Sequence, residues 1–288
     1  MKPIYAFKRF EEFVNFVVER HRIYRRREAG EPRPWTGDPI LRDYKFTNVY
    51  RELDRVTQWI ANNWREPYEH ERYLFHAMVI ARLVNHPETL AALPAPGTWR
   101  KAAFLKVMHE RQDAGLNTFS AAYIVSTGGL SMNKADFLAE KVLDPMWKDR
   151  EKLVPGRRET LQSYYENLLS YNGMGRFIAA QVVADLKYVK PLSDATDWWT
   201  FVASGPGSRK GMSYLLGAGP DLKWKEHEWK EAVGELAVLM EPVTEKHFMP
   251  RLHAQDLQNC LCEFSKWSRT KAGTGRPKQK FTPYGEPK

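Results

Sequence analysis

The sequence of 288 residues has only two cysteines, Cys260 and Cys262, which are too few for a disulfide-stabilised fold. It has no apolar run close to the roughly 18 residues that a membrane-spanning helix needs. Its first residues, MKPIYAFKRFEEF, carry charges where a secretory signal peptide has an apolar core. These absences predict a protein of a reducing compartment, the cytoplasm, with no membrane partner.

The sequence has fewer acidic than basic residues: 35 Asp and Glu compared with 44 Lys and Arg, which gives a net charge of +9. The excess lies in two stretches. Residues 20–27 read RHRIYRRR and include Arg25 and Arg26, while the end of the chain from Lys266 onward has a single acidic residue, Glu286. Such clusters bind phosphates by releasing counterions and are typical of nucleic-acid-binding proteins. The other interpretation is a solvated helix face followed by a disordered tail.

Hydrophobic residues make up 43% of the chain, which excludes a largely disordered protein. Apolar positions recur at helical spacing, and the sequence shows neither long alternating strands nor an internal repeat. We therefore predict an all-α fold, in which residues 1–270 form one helical domain with two lobes and residues 271–288 form a basic flexible tail. Periodicity leaves AAYIVST, residues 121–127, open between helix and strand. The predicted helices cover about residues 8–28, 47–64, 71–84, 99–113, 133–146, 157–170, 176–189, 224–240 and 250–267.

The most specific local pattern is NGMGRFIAAQVVADL, residues 172–186. Gly173 and Gly175 can adopt backbone angles that other residues avoid, and they expose amide groups just before a helix. The positive end of the helix dipole favours a phosphate there, and Arg176 adds a charge. The pattern favours a helix-hairpin-helix that grips a DNA backbone over an ordinary glycine-containing connection.

Two aspartates, Asp194 and Asp197, follow this hairpin after one helix and a short loop. Helix-hairpin-helix DNA glycosylases have their catalytic aspartate in roughly this place. A carboxylate there can act as a general base or stabilise a developing cation. Asp197, which precedes two tryptophans, is the preferred candidate, because Asp194 fits a helix N-cap nearly as well.

The next segment, SGPGSRKG at residues 204–211, is rich in glycine and basic residues. It is predicted to form a phosphate-cradling loop, with a tight turn beside a salt-bridged helix as the alternative. The predicted ligands are Gly205, Gly207, Ser208, Arg209 and Lys210. The P-loop sequence GxxxxGK[ST] is absent from all 288 residues, which disfavours a P-loop kinase.

A third candidate group lies in KFTNVYRELDRVTQWI, residues 45–60. Spacings of three and four residues place Arg51, Asp54 and Arg55 on one face of the predicted helix. Asp54 would then orient an arginine toward an anionic group, although a surface salt bridge is equally compatible with the spacing.

Two smaller expectations concern residues 252–276. Cys260 and Cys262 are two residues apart on a helix and point in different directions, so a zinc site is not expected even with His253 nearby. Glu263 and Lys266, three residues apart, are expected to form an ion pair, and Lys266 is a DNA-binding candidate.

Several segments together resemble a bacteriophage family related to the helical domain of 5-hydroxymethyluracil DNA kinases. These segments are, in order, RPWTGDPIL, FTNVYRELDR, AAYIVST, NGMGRFIAAQVVADL, ASGPGSRKG and LQNCLCEFSKW. The family includes the amino acid:DNA transferases, formerly predicted to be alpha-glutamyl/putrescinyl thymine pyrophosphorylases. The resemblance spans roughly residues 33–276 and implies a divergent helix-hairpin-helix DNA glycosylase fold.

The resemblance also implies thymidine hypermodification of phage DNA in the cytoplasm of the host cell. In that chemistry a kinase pyrophosphorylates hydroxymethyluracil, and a transferase replaces the pyrophosphate with an amine such as glycine, another amino acid or a polyamine. The kinases of the family carry a P-loop domain, so its absence from these residues favours the transferase. Asp197 would act on a flipped base, and the pyrophosphate clamp would come from Arg51, Arg55, Arg209 and Lys210.

The partners expected from this interpretation are double-stranded DNA containing the modified pyrimidine, the small amine and a hydroxymethyluracil DNA kinase. Mg²⁺ on the pyrophosphate is the one cofactor considered, and the sequence has no dedicated acidic cluster for it. Two alternatives stay open. One is a DNA glycosylase that removes a modified pyrimidine, and the other is a non-catalytic DNA-binding partner of the kinase.

Overall fold

A computed structural model describes residues 5–120, 127, 129–220 and 222–282. Every regular element in these ranges is helical, and the β-contact found among them is an isolated bridge between Tyr44 and Lys280. The predicted all-α class is confirmed for this part of the chain. Of the segment 121–127, which periodicity left open, all but Thr127 lies outside the described residues. None of the described helices combines the length and the apolar character that crossing a bilayer requires.

The described helices follow the periodicity of the sequence closely, with several short turns between them. The α-helices are α1 (Phe10–Glu28), α2 (Pro39–Asp43), α3 (Arg55–Ile60), α4 (Leu74–Val84), α5 (Pro87–Ala92), α6 (Lys101–Asp113), α7 (Lys134–Phe137), α8 (Asp144–Lys148), α9 (Leu161–Leu169), α10 (Arg176–Leu186), α11 (Pro206–Leu215), α12 (Glu226–Lys246) and α13 (Ala254–Lys271). Shorter 3₁₀ turns cover Arg51–Leu53, Glu66–Tyr68, Arg150–Leu153 and Leu192–Asp194, and π-helical turns cover Ala61–Arg65 and Leu138–Leu143.

The chain divides into two compact units. The terminal unit consists of Met1–Asp54 and Val202–Lys288, and the central unit consists of Arg55–Phe201. The assignment of residues 1–270 to a single DNA-glycosylase-like domain with two lobes stays a prediction.

The core of the terminal unit is built from α1, α11, α12 and α13. Phe13 on α1 meets Phe264 on α13 edge to face, with ring centroids 5.3 Å apart, and Trp229 on α12 is fully buried. Helix α11 packs closely against α13. A Cβ added at Gly211 would lie 1.9 Å from the backbone oxygen of Leu261, so only glycine allows this packing.

The core of the central unit surrounds α4, in which every residue is buried. A helix that is apolar on all sides belongs in the middle of a domain. It also contains Arg82, whose guanidinium forms a bidentate pair with Asp185 of α10 at 2.5 and 2.6 Å. The same guanidinium donates to Asn85 Oδ1 at 3.1 Å and to Thr57 Oγ1 at 3.2 Å. This pair joins α4 to α10 at a point with almost no access to solvent.

Part of the C-terminal tail contacts the segment that follows α2. Lys45 N donates to Gln279 O at 3.1 Å, and Phe281 N donates to Asp43 O at 3.0 Å. These two hydrogen bonds join residues 279–281 to residues 43–45, and the flexibility expected for residues 271–288 stays a prediction. Residues 283–288 lie outside the described residues.

Replacing the buried arginine tests the importance of the pair in the central unit. Arg82→Ala should lower the free energy of unfolding by about 3–5 kcal/mol, because Asp185 would stay buried without its bidentate partner. Arg72→Ala is the matched control, since Arg72 pairs with Glu151 at 2.6 Å on the surface and should leave the unfolding midpoint near wild type. Urea unfolding followed by tryptophan fluorescence measures both. Equal losses in the two variants would contradict this role of the buried pair.

Candidate nucleic-acid interface

The two glycines of the predicted hairpin have different roles in the turn between α9 and α10. Gly173 has φ +75°, and a Cβ added there would lie 2.5 Å from Val142 Cγ2, so both its conformation and its surroundings require glycine. Gly175 has φ −65° and meets nothing within 4 Å. Between them, Met174 is 2% exposed and anchors the turn in the core of the central unit.

The outer side of this turn presents the start of a helix. Gly175 is the N-cap of α10 and, like Arg176, is exposed, and as a glycine it brings no capping side chain of its own. The first amides of an α-helix lack acceptors within the helix, and its dipole is positive there. A phosphate oxygen fits such a position. The geometry agrees with the hairpin that the sequence predicts, while its identity as a DNA-binding helix-hairpin-helix stays a prediction.

Asp197 lies at the other end of α9 from the glycine turn. Its Oδ1 accepts from Leu161 N at 2.8 Å and its Oδ2 accepts from Gln162 N at 2.9 Å, so the carboxylate caps the start of α9. A helix of nine residues is about 13 Å long, which sets the distance along α9 between the carboxylate and the turn. The role that these contacts show for Asp197 is to hold the helix, and its catalytic role stays a prediction.

The residue after Asp197 fastens the same loop to the end of α10. Trp198 Nε1 donates to Lys187 O at 2.8 Å, and the buried Lys187 ammonium lies 3.7 Å from the centroid of a Trp198 ring. Asp197 and Trp198 together therefore connect the start of α9 to the end of α10. This arrangement stabilises the hairpin at the end opposite its turn.

Asp194 is not the helix N-cap that the sequence allowed. It is the last residue of the 3₁₀ turn Leu192–Asp194, and its side chain is 61% exposed with Oδ2 3.4 Å from Lys190 Nζ. The capping aspartate is Asp197, and the helix that it caps begins 36 residues earlier in the chain. Local sequence rules cannot find such a long-range cap, because they consider only neighbouring positions.

The segment 204–211 is a helix start rather than a loop. Gly205 is the N-cap of α11, its amide donates to Ser208 Oγ at 3.0 Å, and the helix begins at Pro206. A Cβ at Gly207 would lie 2.5 Å from Cys262 Sγ, so this glycine, like Gly211, serves the packing against α13. Helix packing therefore accounts for Gly207 and Gly211, and phosphate binding by the segment stays a prediction.

Arg209 is held by three groups of the terminal unit. Its Nε donates to Ser204 Oγ at 2.8 Å, its Nη1 to Trp224 O at 2.7 Å and its Nη2 to Glu226 Oε2 at 2.6 Å. These contacts join α11 to the start of α12. Lys210, its neighbour, is exposed, so Lys210 is better placed than Arg209 to meet an anion from solution.

Arg51, Asp54 and Arg55 do not share a helix face. The predicted helix over residues 47–64 is divided into the turn Arg51–Leu53, α3 and a π-helical turn, and Asp54 has an extended ψ of 133°. Arg51 N donates to Asp256 Oδ1 on α13 at 3.1 Å, and Arg51 Nη1 lies 3.1 Å from Glu52 Oε1. The long-range bond from the Arg51 amide overrides the local helical preference. Arg55 belongs to the central unit and the other two to the terminal unit.

The basic residues predicted to bind DNA outside the hairpin all belong to the terminal unit. Arg25 is exposed, while Arg26 lies 3.6 Å from Glu19 and donates to Trp35 O. Lys266 forms the expected ion pair with Glu263. Among the residues that the structure describes, no group of three or more His, Cys, Asp or Glu is arranged to hold a metal ion.

In the part of the chain that the structure describes, every regular element is helical, and the glycine turn joins two of these helices. The family model for the helical domain of 5-hmdU DNA kinase matches residues 7–276, and the chain therefore belongs to that family. A 5-hmdU DNA kinase of Bacillus phage SP10 is 29% identical over 228 residues, which are 71% of this chain and 35% of that protein. The chain thus spans about a third of the length of this relative. No solved structure matches the chain.

This membership confirms the broader part of the resemblance seen in the sequence, which is the relation to the helical domain of 5-hydroxymethyluracil DNA kinases. It does not distinguish the transferases from other members. The catalytic, pyrophosphate-binding and DNA-binding residues named from the sequence stay predictions.

The two hairpin glycines should respond differently to the same substitution. Gly173→Ala should cost about 1–3 kcal/mol of folding free energy, because alanine is strained at positive φ and its methyl group meets Val142. Gly175→Ala should change it by less than about 1 kcal/mol, since φ and space are ordinary there. Thermal and urea unfolding of both variants provide the comparison. Equal destabilisation would show that the turn differs from this geometry.

The packing role of the second glycine segment can be tested with a matched pair of helix glycines. Gly211→Ala should destabilise the protein by at least about 2 kcal/mol, because its methyl group has no space against α13. Gly234→Ala, on the exposed side of α12 with nothing within 4 Å, should stabilise it by about 0.5–1 kcal/mol. Changes of the same sign in calorimetric melting would contradict this interpretation.

Proposed function

We infer that this protein is a transferase of thymidine hypermodification, which replaces the pyrophosphate of 5-(pyrophosphoryloxymethyl)uracil in DNA with an amine. The observation that carries this proposal is the family match over residues 7–276 in a sequence without GxxxxGK[ST]. The absence of this motif from these residues disfavours phosphoryl transfer from ATP by a P-loop as their reaction. The amine transfer comes after the phosphorylation of hydroxymethyluracil by a kinase. We assign this later step to an all-helical protein of this family.

Binding of duplex DNA is supported by charge and by the hairpin. A net charge of +9 favours sequence-independent attraction to a polyanion, and the start of α10 offers a place for one backbone phosphate. An enzyme that acts on a base inside a duplex has to turn that base out of the stack, which costs a few kcal/mol. The same contacts to the backbone would hold the strand while the base is extruded.

The proposed reaction is a displacement at the C5 methylene carbon. The lone pair of a neutral amine forms the new C–N bond, the C–O bond to the pyrophosphate breaks, and the pyrophosphate leaves with that electron pair. The ammonium formed in this step then loses a proton to a base. Cations around the leaving group lower the barrier by stabilising its developing charge, and Mg²⁺ would enter with the pyrophosphate as part of the substrate.

Asp197 is the residue proposed to act beside the reacting carbon. Its two backbone hydrogen bonds fix the direction of the carboxylate, which a group that stabilises a developing cation or receives the amine proton requires. Arg51, Arg55, Arg209 and Lys210 stay the candidates from which cations for the pyrophosphate would be drawn. Arg209 is held by three groups near the start of α11, and Lys210 beside it is exposed.

The test is mass spectrometry of nucleosides after incubation of the protein with pyrophosphorylated hydroxymethyluracil DNA and a mixture of glycine, serine and putrescine. We expect an amine-substituted thymidine and one pyrophosphate released for each substituted base. Release of free base with an abasic site would show a glycosylase instead. Binding of the DNA without any change in its nucleosides would show a non-catalytic partner, and both results would overturn the proposal.

The role of Asp197 is tested in the same assay at equal folded fraction. Asp197→Asn should lower the transfer rate by at least about 10²-fold, because a charged group that acts in the transition state is lost. Glu166→Gln is the matched control, since it removes one carboxylate from the exposed side of α9. If Asp197→Asn transfers the amine at the wild-type rate, the catalytic role is wrong and Asp197 serves only to cap α9.

A further inference from the structure

The terminal unit contains a pocket of about 460 Å³ that none of the predicted sites includes. It is built from the end of α1, the proline-rich segment before α2, and the docked C-terminal segment. Four arginines line it, Arg20, Arg27, Arg33 and Arg42, together with the rings of Trp35, Tyr44, Phe46 and Phe281. No acidic side chain is among the described residues that line it. This volume of about 460 Å³ includes the open solvent at the mouth of the pocket.

Arg20 is the buried arginine of this pocket. It is 8% exposed, and its Nη2 donates to Phe46 O at 3.0 Å and to Asn48 Oδ1 at 2.8 Å. Its Nη1 is buried and has no acceptor among the described residues. Burial, together with the charge of Arg27, lowers the pKa of Arg20 to about 10, against smaller opposite effects of Glu263 and Cys260. A buried guanidinium with a missing acceptor is costly unless an anion completes its hydrogen bonds.

The other three arginines are closer to solvent. Arg27 pairs with Glu28 at 3.0 Å and Arg42 with Asp43 at 2.7 Å, and these acids lie outside the lining of the pocket. Arg33 is exposed and lies 5.8 Å from the ring centroid of Trp35 and 5.4 Å from that of Phe281. The charge of the pocket is therefore positive, from its buried end at Arg20 to its exposed arginines.

The aromatic walls make the pocket suitable for a flat ring as well as for an anion. Trp35 and Phe281 meet at an angle of 71° with centroids 6.0 Å apart, so their faces are not stacked on each other. Aromatic side chains and guanidinium planes are the surfaces on which proteins stack nucleic-acid bases. Phe281 reaches this place because the backbone of residues 279–281 is bonded to residues 43–45.

We propose that this pocket binds a pyrimidine that carries a phosphate group, with the ring against Trp35 and Phe281 and the phosphate on Arg20 and Arg33. This assignment rests on the proposed function for the identity of the base, since the pyrophosphorylated uracil has both a flat ring and a strongly anionic substituent. The pocket would then recognise the activated base at a place separate from the residues proposed for the displacement, and its specificity would come from the need for both parts. A base without a phosphate would leave Arg20 Nη1 without an acceptor. A phosphate without a base would leave the rings of Trp35 and Phe281 in contact with solvent.

Isothermal titration calorimetry on the full chain tests the pocket with three probes: 5-(phosphoryloxymethyl)uracil, inorganic pyrophosphate and thymidine. The phosphorylated base should bind at least about tenfold more tightly than either of the others, because only it uses both parts of the pocket. Equal binding of pyrophosphate would overturn the assignment to a base. Absence of binding by the phosphorylated base would overturn the pocket as its site.

Two variants that leave the buried Arg20 in place make the test specific. Arg33→Ala and Phe281→Ala should each weaken binding of the phosphorylated base about tenfold. Arg22→Ala is the control for charge, because Arg22 is on α1, is 53% exposed and does not line the pocket, and it should bind as wild type does. Equal affinity in all three variants would contradict the proposal.

The transfer assay separates this proposal from the proposed function. If Arg33→Ala and Phe281→Ala transfer the amine at the wild-type rate, the pocket assignment fails and the transferase stands. If the phosphorylated base binds with the expected variant pattern and no amine is transferred, the pocket stands and the transferase fails.

Discussion

The buried pair between Arg82 and Asp185 is the interaction on which the central unit depends. Two opposite charges with almost no solvent access are tolerated only when each is closely paired, and here two charged hydrogen bonds and two further acceptors meet that condition. Because Asp185 is on α10, the pair sets the position of the second hairpin helix against the buried α4. The start of α10, which is proposed to meet DNA, is thereby placed by a contact nine residues away along the same helix.

The glycines of this chain illustrate why one residue type supports several interpretations. Gly173 is required by a positive φ, Gly211 by a neighbouring backbone, and Gly175 by neither, which leaves its exposed position at a helix start as the feature to explain. In sequence all three resemble phosphate-binding glycines. Their surroundings separate them, because an added methyl group would strain the backbone at one, clash with Leu261 at another and meet open space at the third.

Much of the helical fold could be predicted from the sequence, and the site could be predicted only in part. Helices α1, α4 and α10 follow directly from apolar spacing, since each buries a stripe or a whole surface. The expected helix over residues 47–64 forms only from Arg51 and is interrupted at Asp54, and the amide of Arg51 bonds to Asp256, 205 residues later. The same limit applies to Asp197, whose partners are 35 and 36 residues away. Spacing rules describe one element at a time, whereas these contacts join elements that are distant in sequence.

Two of the buried arginines, Arg82 and Arg20, show how a structural charge differs from one that is available to a ligand. Arg82 has acceptors for its Nε and both terminal nitrogens, and removing any of them would only destabilise the fold. Arg20 has acceptors for Nη2 but none among the described residues for Nη1, so the folded protein retains an unmet donor. Because almost all buried donors in proteins are satisfied, such an exception requires a reason. An anion bound in the adjacent pocket would be a sufficient reason, because it would accept the hydrogen bond that Arg20 Nη1 does not make in the folded protein.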